Sequence, residues 1–247
     1  MDERAALSFL AGQLPHAGDD AAVVDGQVLT TDVLRDETDF PDGTTRYTAG
    51  WRAVGAEYVG GDLDESREFA VATTALGRTD EPVLRSGASP GEAVCVTGAL
   101  GRTGAALRLF ERGDLERANE LFRFDPRIAA GRAVAPAATA MMDSSDGLAR
   151  SLHQLAEASD CGFAIESDAV PVADAVESVA ADAADRRELS LFFGEDFELV
   201  FTVPESELPA VEASSPVPVA AIGRATESGV EMDDEPLPDR GFTHGAD

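Results

Sequence analysis

The chain has 247 residues, 44% of them hydrophobic, so it can form one large domain or two modest ones, and we expect two. Its formal net charge is −28 at pH 7, and all 19 basic residues are arginines. Because so acidic a surface repels nucleic acid and anionic lipid, we expect no nucleic-acid or membrane partner. An acidic, lysine-free surface is typical of proteins that work in concentrated salt, and it predicts the cytoplasm of a halophile.

The first predicted element along the chain is a β-hairpin. Residues 21–24 and 28–31 have the pattern of strands, and Asp25-Gly26 between them supplies the positive φ angles of a type I′ turn. This hairpin would place Asp20 and Asp32 at the same end. The elements expected next are a helix over 44–54 and a strand over 68–76.

Glycine and proline residues interrupt the pattern over residues 77–92, which we interpret as a linker between domains 1–80 and 81–247. Beyond the linker, strand-like and helix-like segments alternate, which predicts an α/β or α+β domain. The predicted strands are 93–97, 139–142, 163–166, 197–203 and 217–222, and the predicted helices lie within 101–135, with a break at Asp125-Pro126, and within 148–158, 167–191 and 205–213.

Five short acidic stretches carry the candidate chemistry. Without lysine, phosphate charge can be neutralised only by arginine, backbone N–H groups or bound cations, and carboxylates are ligands of hard cations such as Mg²⁺. The pattern therefore predicts a metal-dependent enzyme that handles phosphate. The lack of lysine also excludes a P-loop and a pyridoxal enzyme. The stretches are Gly18-Asp19-Asp20, Thr30-Thr31-Asp32, Gly60-Gly61-Asp62, Asp143-Ser144-Ser145-Asp146-Gly147 and Gly194-Glu195-Asp196.

The stretch from Asp143 to Gly147 is the strongest single candidate. A predicted strand delivers Asp143 to a sheet edge, and Ser145 or Asp146 is expected to cap the following helix. Capping explains one of these residues, but it does not explain aspartates on both sides of two serines. We therefore predict that Asp143 and Asp146 contact metal or phosphate.

The other candidates are weaker when each is taken alone. Asp20 and Asp62 have the pattern of polar turns and Asp32 that of a strand end, and only their recurrence in one small domain favours a site. The Arg85 guanidinium could reach phosphate oxygens, although a surface arginine is the simpler interpretation. We predict that Asp20, Asp32, Asp62 and Asp143 cluster around metal ions.

In their order along the chain, these motifs resemble the thiamine-monophosphate kinase family, whose superfamily includes aminoimidazole ribonucleotide synthetase and selenophosphate synthetase. The resemblance runs from Gly18 to the C-terminus, and the ordered set is far more specific than any one piece. The matching motifs are Gly18-Asp19-Asp20-Ala21-Ala22-Val23, Thr30-Thr31-Asp32, Gly50-Trp51-Arg52-Ala53-Val54, Gly60-Gly61-Asp62, Arg85-Ser86-Gly87-Ala88, Asp143 to Leu148, Ser159-Asp160-Cys161-Gly162 and Gly194 to Leu199.

The resemblance implies an α+β (mixed α/β), aminoimidazole ribonucleotide synthetase-like fold, with an N-terminal sheet domain that dimerises and a C-terminal α/β sandwich domain. It implies ATP-dependent phosphorylation of thiamine monophosphate to thiamine diphosphate by a homodimer, with Mg²⁺ as cofactor. No catalytic side chain is expected, because the acceptor is itself a largely ionised phosphate. The implied residues are Asp20, Thr30, Thr31, Asp32, Asp62, Asp143 and Asp146 for metal; Gly61, Asp62, Arg85 and Ser145 for ATP; and Glu195 for the substrate. Asp39 stands where the family has a histidine, and Asp239 stands where it has an aromatic residue that stacks on the substrate ring, so we expect Asp39 and Phe242 to be the substitutes in substrate binding.

The chain departs from the family pattern after Gly50-Trp51-Arg52-Ala53-Val54. There the family continues with a metal-binding aspartate, one strand and most of two helices, whereas Gly55 runs almost directly into Gly60-Gly61-Asp62 here. We therefore expect an N-terminal domain that is shortened between Gly55 and Ala56. The alternative function is that of a catalytically impaired relative, which binds nucleotide or metal without turnover.

Overall fold

The computed structural model describes residues 21–25, 27–35, 55–57, 59 and 70–242, with the side chains of residues 32–35 outside the description. Two sheets lie within these residues, one of three strands and one of seven. The predictions that fall outside the described residues are those for Asp20, Asp39, Gly61, Asp62, the side chain of Asp32 and the helix over 44–54.

The three-stranded sheet contains β1 (Ala22–Val24), β2 (Gln27–Arg35) and β3 (Ala70–Arg78), paired antiparallel in that order. The predicted hairpin is confirmed. Val24 pairs with Gln27, and Asp25 in the turn between them has a φ of 50°.

β2 is longer than the sequence pattern predicts. It continues through Asp32 because β3 pairs with it along its whole length, from Gln27 opposite Arg78 to Arg35 opposite Ala70. The interpretation of Asp32 as a strand end is therefore wrong, since it lies within β2. β3 likewise continues to Arg78, inside the stretch predicted as a linker.

The seven-stranded sheet has the strand order β10-β9-β6-β8-β4-β7-β5. Neighbouring strands pair antiparallel except β6 and β9, so this part of the chain is α+β, one of the two classes that the sequence predicts. The two short strands β9 and β10 at one edge were not predicted. The seven strands are β4 (Ala93–Thr97), β5 (Ala140–Asp143), β6 (Gly162–Ile165), β7 (Leu199–Val203), β8 (Val219–Thr226), β9 (Val230–Met232) and β10 (Glu235–Pro236).

The helices follow the predicted segments with one extra break. The stretch predicted as helical from 101 to 135 is interrupted at Gly113 as well as near Asp125, and Gly113 has a φ of 79° that ends the first helix. No helix within the described ranges is long and apolar enough to cross a membrane. The α-helices are α1 (Arg102–Glu111), α2 (Leu115–Phe122), α3 (Ile128–Val134), α4 (Leu148–Ser159), α5 (Asp174–Val179), α6 (Ala183–Arg187) and α7 (Leu208–Ser214), and a π-helical turn (Glu188–Phe192) follows α6.

Helices cover both faces of the large sheet at its centre. All five residues of β4 are buried, and the four apolar ones alternate between two apolar clusters. Val94 packs in the cluster that contains Leu152 of α4, whereas Cys95 packs in the one that contains Val134 of α3 and Val211 of α7. Burial raises the pKa of the Cys95 thiol to about 12, which favours a structural role for this cysteine over a reactive one.

Replacing Leu152 by alanine should lower the free energy of unfolding by about 2 to 5 kcal/mol, because the fully buried side chain packs α4 on the sheet. Glu157→Ala on the exposed side of the same helix is the control and should change it by less than about 0.5 kcal/mol. Urea unfolding in molar salt measures both. Equal losses in the two variants would contradict this packing.

Candidate active site

Two of the acidic motifs meet where β5 ends and β7 begins. These neighbouring strands are antiparallel and Asp143 pairs with Leu199, so the loop after β5 lies beside the loop before β7. The backbones remain joined beyond the strands. Ser144 N–H donates to the Glu198 carbonyl at 2.7 Å, and Glu195 N–H donates to the Ser145 carbonyl at 2.7 Å.

The close approach of these loops depends on glycine. A Cβ atom at Gly194 would collide with the Ser145 carbonyl oxygen. Gly147 has a φ of 100° and is the N-cap residue of α4, where a Cβ would lie 3.0 Å from the Phe192 backbone. The prediction that Ser145 or Asp146 caps α4 is therefore wrong. The N-cap position is held by Gly147, which packs against the backbone of the residues after α6.

The C-terminal segment contacts the loop after β5. Phe242 N–H donates to the Asp146 carbonyl at 3.0 Å, and the Phe242 side chain is 49% exposed. Arg150 in the first turns of α4 pairs with Asp239 at 3.1 Å. A proposed substrate residue thus lies beside a proposed metal ligand, although the two are far apart in the sequence.

Arg85 lies along the other side of β5. Met141 N–H donates to the Leu84 carbonyl at 2.9 Å, and the Ser159 hydroxyl at the end of α4 donates to the Arg85 carbonyl at 3.2 Å. Arg85 itself is half-buried. The stretch predicted as a linker therefore contains residues that lie beside the strand that carries Asp143.

The two predicted threonine ligands lie on the smaller sheet. Thr31 pairs with Thr74 in β3, and its hydroxyl donates to the Thr73 carbonyl at 2.8 Å. Thr30 lies opposite Ala75. Among the candidate residues whose side chains are described, Asp143, Ser145, Asp146, Glu195 and Phe242 come together in one group of loops.

A buried polar network, which the sequence motifs do not indicate, supports the loop before β7. Asp196 is 3% exposed and accepts the N–H groups of Gly101 and Thr103 at the start of α1. Glu198 is 2% exposed, and both its carboxylate oxygens accept from Arg127 at 2.6 Å. The available signal was Glu198 itself, because an acidic residue at the start of an apolar run needs a basic partner.

An aromatic pair lies next to this network. The rings of Phe124 and Phe197 are stacked with centroids 4.4 Å apart and an interplanar angle of 28°. Phe197 has a φ of 52°, which is not a strand conformation, so β7 begins at Leu199 rather than at the predicted Phe197. The pair is only partly buried beside the loop that carries Glu195.

Burial governs the electrostatics of the network. It raises the pKa of Asp196 to about 6, although the N–H groups of Thr103 and Gly101 oppose the shift. Burial also lowers the pKa of Arg102, against the attraction of Asp196 and Glu198. The pKa of Arg127 is raised instead, because its guanidinium donates hydrogen bonds to Glu198.

The donor set fits a hard cation in its chemistry. Asp143 and Asp146 offer carboxylate oxygens, the ligand type that Mg²⁺ prefers. Within the residues that the structure describes, no group of three or more His, Cys, Asp or Glu side chains could hold a metal ion. The other predicted carboxylates, Asp20, Asp32 and Asp62, lie outside the described side chains, so the predicted four-carboxylate cluster stays a prediction.

The fold is that of a known family of phosphate-handling proteins. Residues 89–234 match the family model described as AIR synthase related protein, C-terminal domain. A solved structure of AaThiL complexed with AMPPCP and TMP superposes with a TM-score of 0.83 and covers 98% of this chain and 97% of that chain. At 23% identity, this likeness shows a shared fold.

Two curated relatives give the particular family. The chain is 50% identical to the thiamine-monophosphate kinase of Halobacterium salinarum, over 99% of this chain and 100% of the relative. It is 33% identical to the thiamine-monophosphate kinase of Methanospirillum hungatei, over 99% of each. The chain therefore belongs to the thiamine-monophosphate kinase family, as the ordered motifs predict.

We expect Asp196→Asn to flatten the pH dependence of stability in weak acid. The folded pKa of about 6 lies above the ordinary value of 3.8, so the folded protein holds this proton more tightly than the unfolded chain does. The stability from Asp196 is thus fully present below pH 3.8 and is lost as pH rises through 6, by at most about 3 kcal/mol. Asparagine does not titrate and removes this slope.

Urea unfolding at a series of pH values in molar salt measures the effect. Asp168→Asn is the control, since Asp168 is exposed and the substitution removes the same charge. Wild type and Asp168→Asn should share one slope between about pH 4 and 6, and Asp196→Asn should show a smaller fall. If the free energy of unfolding falls with pH equally in all three proteins, burial does not raise the pKa of Asp196.

Proposed function

We propose that this chain transfers the γ-phosphoryl group of ATP to thiamine monophosphate, giving thiamine diphosphate and ADP. The family membership supports the reaction, and the relative complexed with AMPPCP and TMP binds a nucleotide analogue together with TMP. The structural observation that carries the proposal is the junction of two loops at one sheet edge. One loop holds Asp143, Ser145 and Asp146, and the other holds Glu195.

The reaction needs positioning more than proton transfer. A phosphate oxygen of thiamine monophosphate attacks the γ-phosphorus, a new P–O bond forms, and the bond from that phosphorus to the β–γ bridging oxygen breaks to release ADP. Since the acceptor phosphate has a second pKa of about 6, it is largely ionised at neutral pH and needs no general base. None of the residues assigned to the site in the described part of the chain is a histidine, which fits this chemistry.

Each group in the loops has a proposed task. Asp143 and Asp146 would hold Mg²⁺, which when bound neutralises phosphate charge and aligns the two substrates. Arg85 and Ser145 would contact ATP phosphates from the two sides of β5. Glu195 would attract the positively charged thiamine ring, with Phe242 and Asp39 as further substrate contacts, and Asp20, Thr30, Thr31, Asp32, Gly61 and Asp62 would complete the metal and ATP contacts.

We also propose a homodimer in the cytoplasm. Nearly all of β3 is exposed, including Leu76 at 66%, and β3 is one of the two outer strands of the described three-stranded sheet. An exposed strand with apolar side chains is a surface that pairs readily with another chain. A second copy of this chain would cover it.

The alternative is a relative that binds nucleotide or metal without turnover. The alignment with the Halobacterium relative runs over 291 residues although this chain has 247, so part of the relative has no counterpart here. We place the gap in the domain over residues 1–80, between Gly55 and Ala56. A gap there would remove a metal ligand and part of the sheet.

An activity assay separates the two functions. Purified protein with ATP, Mg²⁺ and molar salt should release ADP only when thiamine monophosphate is added, and Asp143→Asn should lower kcat by about 10² to 10³ because it removes a metal-binding charge. Asp168→Asn, on an exposed turn, should keep wild-type kcat. Nucleotide binding without ADP release from the wild type would favour the impaired relative.

Substituting Leu76 by glutamate should shift the protein from dimer to monomer, because the exposed leucine would then carry a charge into the proposed interface. Leu115→Glu is the control, since Leu115 on α2 is also exposed and lies on the other part of the chain. Sedimentation velocity in molar salt gives the masses. A dimer that survives Leu76→Glu would place the interface elsewhere.

A further inference from the structure

The loop before β7 has two chemically different sides. From Phe193 to Leu199, residues alternate between half-buried and buried, with Glu195 and Phe197 half-buried and Asp196 and Glu198 buried. Glu195 lies on the half-buried side of the loop, where it could contact a ligand. The two acidic residues on the inner side anchor the loop to three other elements.

The first anchor joins the loop to α1. The Asp196 carboxylate accepts the N–H groups of Gly101 and Thr103, and the Thr103 hydroxyl returns a hydrogen bond to the Glu195 carbonyl at 2.7 Å. Glu195 itself has a φ of 67°, which a residue with a Cβ adopts only when its surroundings hold it there. Thr103 on one side and the Ser145 carbonyl on the other hold it.

The second anchor joins the loop to β4 and α3. Arg127 donates from Nε and Nη2 to the two Glu198 oxygens at 2.6 Å, and Thr97 donates its hydroxyl to the same carboxylate at 2.7 Å. The Thr97 oxygen in turn accepts Leu199 N–H at 2.8 Å. Gly98 packs so closely on the Glu198 carboxylate that a Cβ there would collide with it.

Arg127 is committed to this structural task. Each of its three nitrogens makes a hydrogen bond, Nη1 to the Asp125 carbonyl at 2.9 Å and the other two to Glu198. Only 16% of its side chain is exposed. An arginine whose nitrogens are occupied in this way acts on a ligand through the carboxylate that it holds.

We propose that Arg127 and Glu198, together with Asp196, are positioning residues that set the affinity for thiamine monophosphate by fixing Glu195. The inference rests on the proposed function, in which Glu195 contacts that substrate. Arg127 lies before α3 and belongs to none of the acidic motifs. Its effect would reach the substrate through two residues, Glu198 and Glu195.

A double-mutant cycle tests the coupling. The neutral-pair variant, Arg127→Met with Glu198→Gln, removes both charges at once, so no buried charge is left alone. Kinase rates in molar salt should show its KM for thiamine monophosphate raised about tenfold, with the KM for ATP within about twofold of wild type. In the Glu195→Gln background, the same two substitutions should change the KM for thiamine monophosphate by less than about twofold, because the group they position is gone.

Titration calorimetry of thiamine monophosphate without ATP supplies a readout that does not depend on turnover, and it should show the same non-additivity. Arg127→Lys keeps the charge but loses the two-pronged geometry, so it should raise KM by an intermediate factor. If the neutral-pair variant does not unfold cooperatively, Arg127→Lys takes its place in the cycle. Arg108→Met with Asp185→Asn removes another ion pair, 3.0 Å long, and should leave both KM values unchanged.

The outcomes separate this inference from the proposed function. If the wild type is active and Glu195→Gln raises KM, an equal effect of the neutral pair in both backgrounds overturns the positioning role alone. An unchanged KM in the neutral pair overturns it as well. If Glu195→Gln leaves the KM for thiamine monophosphate unchanged, the assignment of Glu195 fails and the inference fails with it.

Discussion

The antiparallel pairing of β5 with β7 is the contact on which the rest of the candidate site depends. It brings Asp143 opposite Leu199, and the hydrogen bond from Ser144 N–H to the Glu198 carbonyl continues the pairing past the strand ends. Backbone groups join the loops at these points. The side chains of the two loops can therefore differ in chemistry, with carboxylates and serines on one and Glu195 on the other, while their separation stays fixed.

Holding that second loop requires buried charge, which is costly. A buried ion pair such as Arg127 with Glu198 is weak evidence for stability, since apolar residues of similar volume often stabilise a protein as well or better. What an apolar pair cannot do is fix the loop through directional hydrogen bonds from Arg127 and Thr97. The geometry of the loop is a better explanation for this pair than the stability of the fold.

The acidic composition gives a second reason for burying an ion pair. At about 1 M salt the Debye length is about 3 Å, so exposed charges are strongly screened. Ion pairs such as Arg186 with Glu177, which are largely exposed, then contribute little. The Arg127–Glu198 pair is shielded from solvent and is screened much less. In concentrated salt, a chain of net charge −28 can set positions by electrostatics only where the charges are buried, as in this network.

Local sequence patterns were sufficient for the features that depend on near neighbours. They predicted the hairpin at Asp25, the apolar strand before Asp143 and helix α4, because turn chemistry and apolar spacing act over a few residues. The ordered motifs also indicated the family, which the relatives confirm. Long-range packing was needed to show that Gly147 rather than Ser145 or Asp146 occupies the N-cap position of α4, that β2 continues past Asp32, and that Arg127 is the partner of Glu198. Each of these depends on a residue distant in the chain, and no local pattern specifies which distant segment will pack there.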